Sequence, residues 1–232
     1  MPWTTHQHAD PQALAEACAQ ALQAATAAAL LARGRAQLAI AGGRTPLPAL
    51  RAWAQRGVVD ARVAITPTDE RWVPPAHADA NLARLQACFP YEGGPTWRPL
   101  VPLAPGPAPS LDTALHSLAA MPGDFDLVLL GMGEDGHIAS LFPSDPGLAV
   151  ALASADDAVI GRPTPPPADA PHPRISLTLT RLLRSRRRLL LVSGENKRAL
   201  LEQVQRTPDA ARWPVSALLH APGPPVEIHW SP

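Results

Sequence analysis

Residues 126–137 read Asp126-Leu-Val-Leu-Leu-Gly-Met-Gly-Glu-Asp-Gly-His137, an apolar run followed directly by glycines, acids and a histidine. Its apolar run, Leu127 to Leu130, predicts a parallel strand that is buried on both faces. Gly131 and Gly133 follow, and they allow a tight turn that a ligand can approach closely. Because open α/β sheets bind ligands beyond the carboxyl ends of their strands, the acids and the histidine after the turn are expected at a functional site.

Strand and helix patterns alternate outward from this stretch. The pattern predicts strands over residues 37–41, 62–66, 126–131, 158–161, 188–193 and 226–230. It predicts helices over 10–33, 79–88, 111–120, 195–205 and 214–219, and another that begins at Pro46 with Thr45 as its N-cap. This alternation indicates a mostly parallel sheet with helices on both faces, in one α/β domain over residues 1–232.

Several segments have weaker patterns. Residues 68–75, 90–110 and 162–173 are predicted as loops, and residues 138–142 as one short helical turn. The stretch 175–183 has both strand and helix character and stays undecided.

Bulk composition excludes several function classes. The 232 residues are 46% apolar with a formal net charge of zero, which argues against nucleic acid or an acidic membrane as the main partner. No 18-residue stretch is free of polar residues, and the N-terminus lacks the pattern of a signal peptide, so a cytoplasmic location is expected. Cys18 and Cys88 are expected to be buried and inert. No Cys/His cluster has zinc spacing, and Asp135 with His137 gives only two ligands, so no metal is predicted.

Two glycine turns are candidate phosphate sites. Gly42-Gly43-Arg44-Thr45 lies between a predicted strand and a predicted helix, where unpaired N–H groups and the helix dipole attract anions. The second turn is at Gly194, and Lys197 follows it in the first turn of another predicted helix. Lys197 is also the only lysine among 20 basic residues. Because the dipole disfavours a cation there, a bound anion would explain this position.

The stretch 131–143, Gly-Met-Gly-Glu-Asp-Gly-His-Ile-Ala-Ser-Leu-Phe-Pro, resembles the signature of the 6-phosphogluconolactonases. Further segments resemble the same family in the same order, so the resemblance spans roughly residues 10 to 230. They are Ala41-Gly-Gly-Arg-Thr-Pro46, Thr68-Asp-Glu-Arg-Trp-Val-Pro74, Arg174-Ile-Ser-Leu-Thr-Leu179 and Ser193-Gly-Glu-Asn-Lys197. The resemblance implies a Rossmann-like fold similar to that of glucosamine-6-phosphate deaminases.

The resemblance also implies a reaction, the hydrolysis of 6-phosphoglucono-δ-lactone to 6-phosphogluconate without metal or organic cofactor. His137 is the expected general base, since imidazole has a suitable pKa. Asp135 either orients His137 or binds a substrate hydroxyl. Arg71 is expected to stabilise charge near the lactone carbonyl and Asp69 to bind a hydroxyl. The expected phosphate ligands are Gly42, Gly43, Arg44, Thr45, Arg174 and Lys197.

Two other functions fit the sequence less well. In the deaminases the matching motif ends in Phe-Asn-Glu-Pro, whose glutamate supports ring opening, whereas Phe142 stands at that position here. A non-catalytic sugar-phosphate sensor would bind 6-phosphogluconate without turnover, but the intact run from Glu134 to His137 argues against it. Asn81 has no settled role. Six further histidines lack motif context and receive none: His6, His8, His77, His116, His172 and His220.

Overall fold

The structure, a computed structural model, describes residues 2–57, 59–163, 166 and 171–232. Ten strands lie within them: β1 (Trp3–Gln7), β2 (Ala36–Ile40), β3 (Val63–Pro67), β4 (Asp69–Arg71), β5 (Thr96–Trp97), β6 (Leu127–Gly131), β7 (Ala158–Gly161), β8 (Arg174–Leu177), β9 (Arg188–Ser193) and β10 (Val226–Ser231). The helices are α1 (Pro11–Arg33), α2 (Pro46–Gln55), α3 (Asn81–Gln86), α4 (Asp112–Ala119), α5 (Leu148–Ala153), α6 (Leu179–Leu183), α7 (Glu195–Arg206) and α8 (Val215–Leu219).

Seven strands form a parallel sheet in the order β1-β10-β9-β6-β2-β3-β5, with β6 in the middle. After β2 the chain continues to β3 and β5 on one side of the sheet. After β6 it continues to β9 and β10 on the other side. The crevice between the carboxyl ends of β2 and β6 is therefore a topological switch point, where such sheets bind ligands. The remaining strands form a small antiparallel sheet, β4-β8-β7.

The core lies on both faces of the parallel sheet. Leu127 and Leu129 of β6 pack in one apolar cluster with α1, α2 and α3. Val128 and Leu130 pack in the other cluster, with helices α4 to α8. The alternation within one strand shows that β6 is buried on both sides, which confirms the fold class predicted from the sequence. Cys18 and Cys88 are both buried, also as predicted.

Helix α1 has well-formed ends. The Asp10 side chain accepts a hydrogen bond from the Ala13 N–H at 2.7 Å, and Gly34 closes the helix in the left-handed conformation. In the described part of the chain, α1 is the one helix long and apolar enough to cross a membrane, with a mean hydropathy of 1.3. Its Leu14, Cys18 and Leu22 are fully buried in the core, as in a core helix of a globular protein.

Some elements differ from the sequence predictions. Strands β1, β4 and β5 and helix α5 were not predicted, and the first three are too short or too polar to show alternation. The helical turn predicted over 138–142 is wrong. A tight turn closes there instead, with the Leu141 N–H bonded to the Ile138 carbonyl and Ala139 at a φ of +48°.

The undecided stretch 175–183 contains both elements. Strand β8 ends at Leu177, and Thr178 then caps α6 by accepting a hydrogen bond from the Arg181 N–H. Thr45 occupies the N-cap position of α2 as predicted, but its side chain makes no capping hydrogen bond. Half of the loop predicted over 162–173, residues 164, 165 and 167–170, lies outside the described residues.

Candidate active site

A cleft of about 620 Å³ opens at the switch point between β2 and β6. The loops after β2 and β6 form two of its walls, and the β4–β8 pair forms a third. Nine of the ten predicted site residues line it: Gly42, Gly43, Arg44, Thr45, Asp69, Arg71, His137, Arg174 and Lys197. The tenth, Asp135, contacts the cleft through His137. Residues that are up to 155 positions apart in the sequence thus meet at one site.

His137 and Asp135 form a hydrogen-bonded pair. Nδ1 of His137 lies 2.6 Å from Oδ1 of Asp135, which also accepts the His137 backbone N–H at 3.1 Å. Burial opposes ionisation of the Asp135 carboxyl, but the hydrogen bond and charge of His137 outweigh it, so the pKa of Asp135 lies below its ordinary value. An ionised Asp135 accepts the proton on Nδ1 and leaves Nε2 of the neutral imidazole as the basic nitrogen.

The imidazole is held on two sides. A Cβ atom on Gly133 would lie 2.1 Å from Nδ1 of His137 and 2.7 Å from Oδ1 of Asp135, so the pair packs directly on the glycine backbone. The Phe142 ring lies against the imidazole with centroids 4.2 Å apart. The Arg174 guanidinium lies 5.1 Å from the centroid of the same ring. These contacts restrict the rotation of His137 and so fix the direction of Nε2.

Positive charge is concentrated in the cleft although the chain is neutral overall. Five basic side chains line it against one acid, Asp69; they are Arg44, Arg71, Arg84, Arg174 and Lys197. Arg71 of β4 is paired in register with Arg174 of β8, directly across two antiparallel strands. Like charges directly opposite each other destabilise a sheet, and a bound anion between them would offset that cost.

Lys197 lies in the first turn of α7, as predicted, with its side chain reaching the cleft. Its Nζ is 3.6 Å from Oε1 of Glu134, whose side chain is 73% exposed. An ion pair with so exposed a partner contributes little. Lys197 therefore remains able to bind an anion at the amino end of α7.

Asn81 ties the wall of the cleft together. Its Nδ2 donates to the Asp69 carbonyl at 2.8 Å, and its Oδ1 accepts from Nη1 of Arg71 at 2.6 Å. The same Nη1 donates to the Asp79 carbonyl at 2.9 Å. A Cβ on Gly42 would lie 2.6 Å from the Asn81 side chain, so Gly42 lets the loop after β2 approach this wall. Asn81, whose role the sequence left open, thus lies in the wall as a connecting residue.

Ser140 was not singled out from the sequence, yet it joins two loops of the site. Its Oγ donates to Oδ2 of Asp69 at 2.5 Å, while Oδ1 of Asp69 accepts from the Thr68 hydroxyl at 3.2 Å. Asp69 is only 6% exposed, and its carboxylate is held by these two hydroxyl groups at the edge of the cleft. The Ser140 hydroxyl connects Asp69 to the loop that carries His137.

Glu70 is a second residue that the sequence analysis missed. Its buried carboxylate accepts the backbone N–H groups of Arg71, Asn81 and Leu82 at 2.7–2.8 Å. Burial raises the pKa of Glu70 to about 7, against the opposing effect of these hydrogen bonds. Side chains alternate along a strand, so recognition of β4 would have separated Glu70 from its neighbours Asp69 and Arg71, which line the cleft.

Comparison with known proteins agrees with this geometry. The family model described as glucosamine-6-phosphate isomerases/6-phosphogluconolactonase matches residues 9–230. A 6-phosphogluconolactonase of Pseudomonas aeruginosa is 36% identical over 209 residues, which cover 88% of this chain and 84% of that protein. The crystal structure of a 6-phosphogluconolactonase from Shewanella baltica superimposes with a TM-score of 0.91 at 31% identity, over 99% of this chain and 98% of the other.

A monomeric glucosamine-6-phosphate deaminase shares the fold at 20% identity, with a TM-score of 0.76 over 98% of this chain and 97% of the other. Fold and site together define an α/β protein with a histidine–carboxylate pair in a cleft whose charged lining is mainly basic. The chain belongs to the family of glucosamine-6-phosphate isomerases and 6-phosphogluconolactonases.

Proposed function

We propose that this cleft hydrolyses 6-phosphoglucono-δ-lactone to 6-phosphogluconate, a step of the oxidative pentose phosphate pathway. One observation carries the proposal: the His137–Asp135 pair lies in a cleft whose charged lining is five basic side chains and one acid. Relatives that bear the name 6-phosphogluconolactonase are more than 30% identical over most of the chain. The substrate is a small molecule, and the expected cytoplasmic location stays a prediction.

The phosphate group binds where the cations converge. Lys197 at the start of α7, Arg44 after β2 and Arg174 of β8 all line the cleft beside the Gly42-Gly43 turn. Charge-assisted hydrogen bonds to phosphate contribute about 1.5–3 kcal/mol each. They anchor the sugar so that its carbonyl carbon lies near His137, and this alignment lowers the entropic part of the barrier. Asp69 is left to accept a hydroxyl of the sugar.

Hydrolysis then follows from the geometry of His137. Nε2 removes a proton from a water molecule as the water oxygen bonds to the lactone carbonyl carbon. Arg71 stabilises the negative charge that develops on the carbonyl oxygen. The C–O bond to the ring oxygen breaks next, and the imidazolium returns its proton to that oxygen, giving the open acid. General base catalysis of this kind contributes typically ~10²–10⁴-fold.

Asp135 acts on the imidazole in this mechanism. The sequence left two roles open, orientation of His137 or binding of a hydroxyl. The 2.6 Å bond to Nδ1 supports the first, because an ionised carboxylate on Nδ1 stabilises the imidazolium that forms during attack. Asp135 can stabilise the imidazolium without moving from the position in which it binds the neutral imidazole.

The ring-opening chemistry of a deaminase is not supported. Phe142, which stands where deaminases have a glutamate in the motif, is 5% exposed and packs against His137. A hydrocarbon ring cannot transfer a proton. Phe142 instead excludes water from the back of the imidazole.

The decisive experiment measures hydrolysis of freshly generated 6-phosphogluconolactone, with the spontaneous rate subtracted, for the wild type and His137→Ala. We expect the variant to lose most of kcat, while His116→Ala, at an exposed position on α4, retains it. More than about a third of wild-type kcat in His137→Ala contradicts the assigned base. No acceleration by the wild type, together with protection against heat by 6-phosphogluconate, identifies a sensor instead.

A further inference from the structure

Two histidines without a role in the sequence analysis meet beside the cleft. His77 lies in the loop after β4, and His172 lies just before β8, 95 positions further along the chain. Both face the carboxylate of Asp79: its Oδ2 is 3.4 Å from Nε2 of His172 and 3.8 Å from Nδ1 of His77. The two imidazole rings are nearly perpendicular, at 82°, with centroids 5.2 Å apart.

We propose that His77, Asp79 and His172 bind a divalent transition metal ion, with Zn²⁺ as the best fit. Zinc bonds of about 2.0–2.1 Å in a tetrahedron place neighbouring ligand atoms about 3.3 Å apart. The distance of 3.4 Å from Oδ2 to Nε2 of His172 matches this value, and Nδ1 of His77, at 3.8 Å from Oδ2, would move closer when an ion binds. All three ligand atoms lie within 4.8 Å of one another. Imidazole nitrogen and carboxylate oxygen are ligands that zinc prefers, and three protein ligands leave the fourth position for water.

The contacts of the cluster can give way to a metal. Nδ1 of His77 accepts a hydrogen bond from the Asp79 backbone N–H at 3.1 Å, and a metal bound at this nitrogen would replace that bond. Arg84 contacts the other carboxylate oxygen, Oδ1, at 3.4 Å, and Oδ2 stays directed at the two histidines. All three ligand side chains are between 24% and 42% exposed, so an ion can reach them from solvent.

The position of the cluster gives the metal a consequence for the cleft. Asp79 lies two residues before Asn81, and its carbonyl accepts from Arg71. His172 lies two residues before Arg174. A bound ion would join the two segments that lead into the cleft wall. The β4–β8 pairing and a backbone hydrogen bond from the Trp72 N–H to the Pro173 carbonyl at 2.8 Å already connect them. The metal would have a structural role, cross-linking these two segments, and would take no part in the chemistry at His137.

The test uses the full-length protein after treatment with a chelator. We would titrate it with Zn²⁺ by calorimetry and with Co²⁺ by visible absorption, for the wild type, His77→Ala/His172→Ala and the control His116→Ala. We expect the double variant to lose one equivalent of metal or to bind it at least tenfold more weakly, and the control to match the wild type. The wild type and control should show tetrahedral Co²⁺ bands that the double variant lacks.

Thermal unfolding gives a second measurement that does not depend on activity. An ion that binds only the folded protein raises its Tm. The Zn²⁺-dependent rise should disappear in the single variants His172→Gln and Asp79→Asn, which keep polar side chains and guard against misfolding of the double variant. Equal Zn²⁺ affinity and equal Tm shifts in the wild type and in these folded variants overturn the proposal. None of these measurements uses the lactone, so the outcome is separate from that of the proposed function.

Discussion

At the scale of single residues, Gly133 shows how closely the His137–Asp135 pair packs against its turn. The backbone conformation of Gly133 is open to any residue, since its φ is not in the left-handed region. The constraint is space, because a Cβ would overlap the imidazole and the carboxylate together. Glycine at position 133 therefore makes room for the His137 side chain and is not needed for the backbone conformation.

We predict that Gly133→Ala lowers kcat by at least about 100-fold, because displacing a reacting group by about 1 Å costs on the order of 10² in rate. Its Tm should change little, since a rotated imidazole near the surface relieves the overlap. Gly106→Ala is the control, because Gly106 lies outside the cleft lining and a Cβ there would meet no atom within 4 Å. Steady-state kinetics and thermal unfolding of both variants decide the matter, and similar kcat values would contradict the prediction.

Lys197 carries the second prediction at this scale. Lys197→Met should raise KM by roughly 10–100-fold with a smaller effect on kcat, because a charge-assisted bond to phosphate is worth about 1.5–3 kcal/mol and acts on bound substrate throughout the reaction. Arg206→Met, an exposed position in the last turn of the same helix, should keep the wild-type KM. An unchanged KM in Lys197→Met would remove Lys197 from the phosphate site.

At the scale of elements, short segments of the site depend on side chains from elsewhere. Helix α3 begins after Ala80, which cannot cap it, and two of its first N–H groups bond to the Glu70 carboxylate instead. Glu70 thus replaces the missing N-cap from strand β4. These hydrogen bonds to Glu70 hold Asn81, the first residue of α3, against the cleft.

We predict that Glu70→Gln lowers the free energy of unfolding by about 1–3 kcal/mol, because the amide nitrogen cannot accept and leaves a buried N–H unpaired. Urea denaturation measures this change. Glu92→Gln, at an exposed position, is the control and should unfold like the wild type. A Glu70→Gln variant as stable as the wild type would show that the carboxylate does not cap α3.

The elements also show what the sequence could and could not reveal. The run before Gly131 and the alternation around it were enough to predict β6, β9, β7 and the longer helices within a residue or two. β1 and β4 are polar and short, so their strand conformation depends on pairing with β10 and β8 rather than on local pattern. The turn at 138–142 was mispredicted because Ala139 adopts a positive φ, which propensities do not anticipate.

The residues of the candidate site were also only partly predictable from the sequence. Residues that line the cleft, such as Lys197 and the Gly42-Gly43 turn, could be predicted from motifs at strand ends. Contacts such as Ser140 with Asp69 and His77 with His172 could not be predicted, because they form only through long-range folding.

At the scale of the whole molecule, buried titratable groups couple stability to pH in opposite directions. Burial, reinforced by the charges of His6 and His8, lowers the pKa of His229 to about 4. The unfolded chain then binds this proton more readily between about pH 6.5 and 4, so stability falls as the pH falls through that window. The raised pKa of Glu70 has the opposite sign, and its contribution is lost as the pH rises from about 4.5 to 7.

We therefore predict that His229→Gln flattens the acid side of the stability profile. Relative to the wild type, the variant should lose less free energy of unfolding between pH 6.5 and 4, by up to about 1.4 kcal/mol per pH unit. Denaturant unfolding across this range measures the difference, and subtraction of the two profiles cancels the contribution of Glu70. His116→Gln should follow the wild-type curve. Parallel profiles for the wild type and His229→Gln would contradict the predicted proton linkage.

The pairing of β1 with β10 has a consequence for biosynthesis. Trp3 pairs with Val226, and β1 lies at the edge of the sheet with β10 as its neighbour. At about 5–20 residues per second, a ribosome makes the partner of β1 roughly 10–45 s after β1 itself. During that interval β1 lacks its partner β10 and is open to pairing with other strands. The polar sequence of β1, Trp-Thr-Thr-His-Gln, makes such premature association weak.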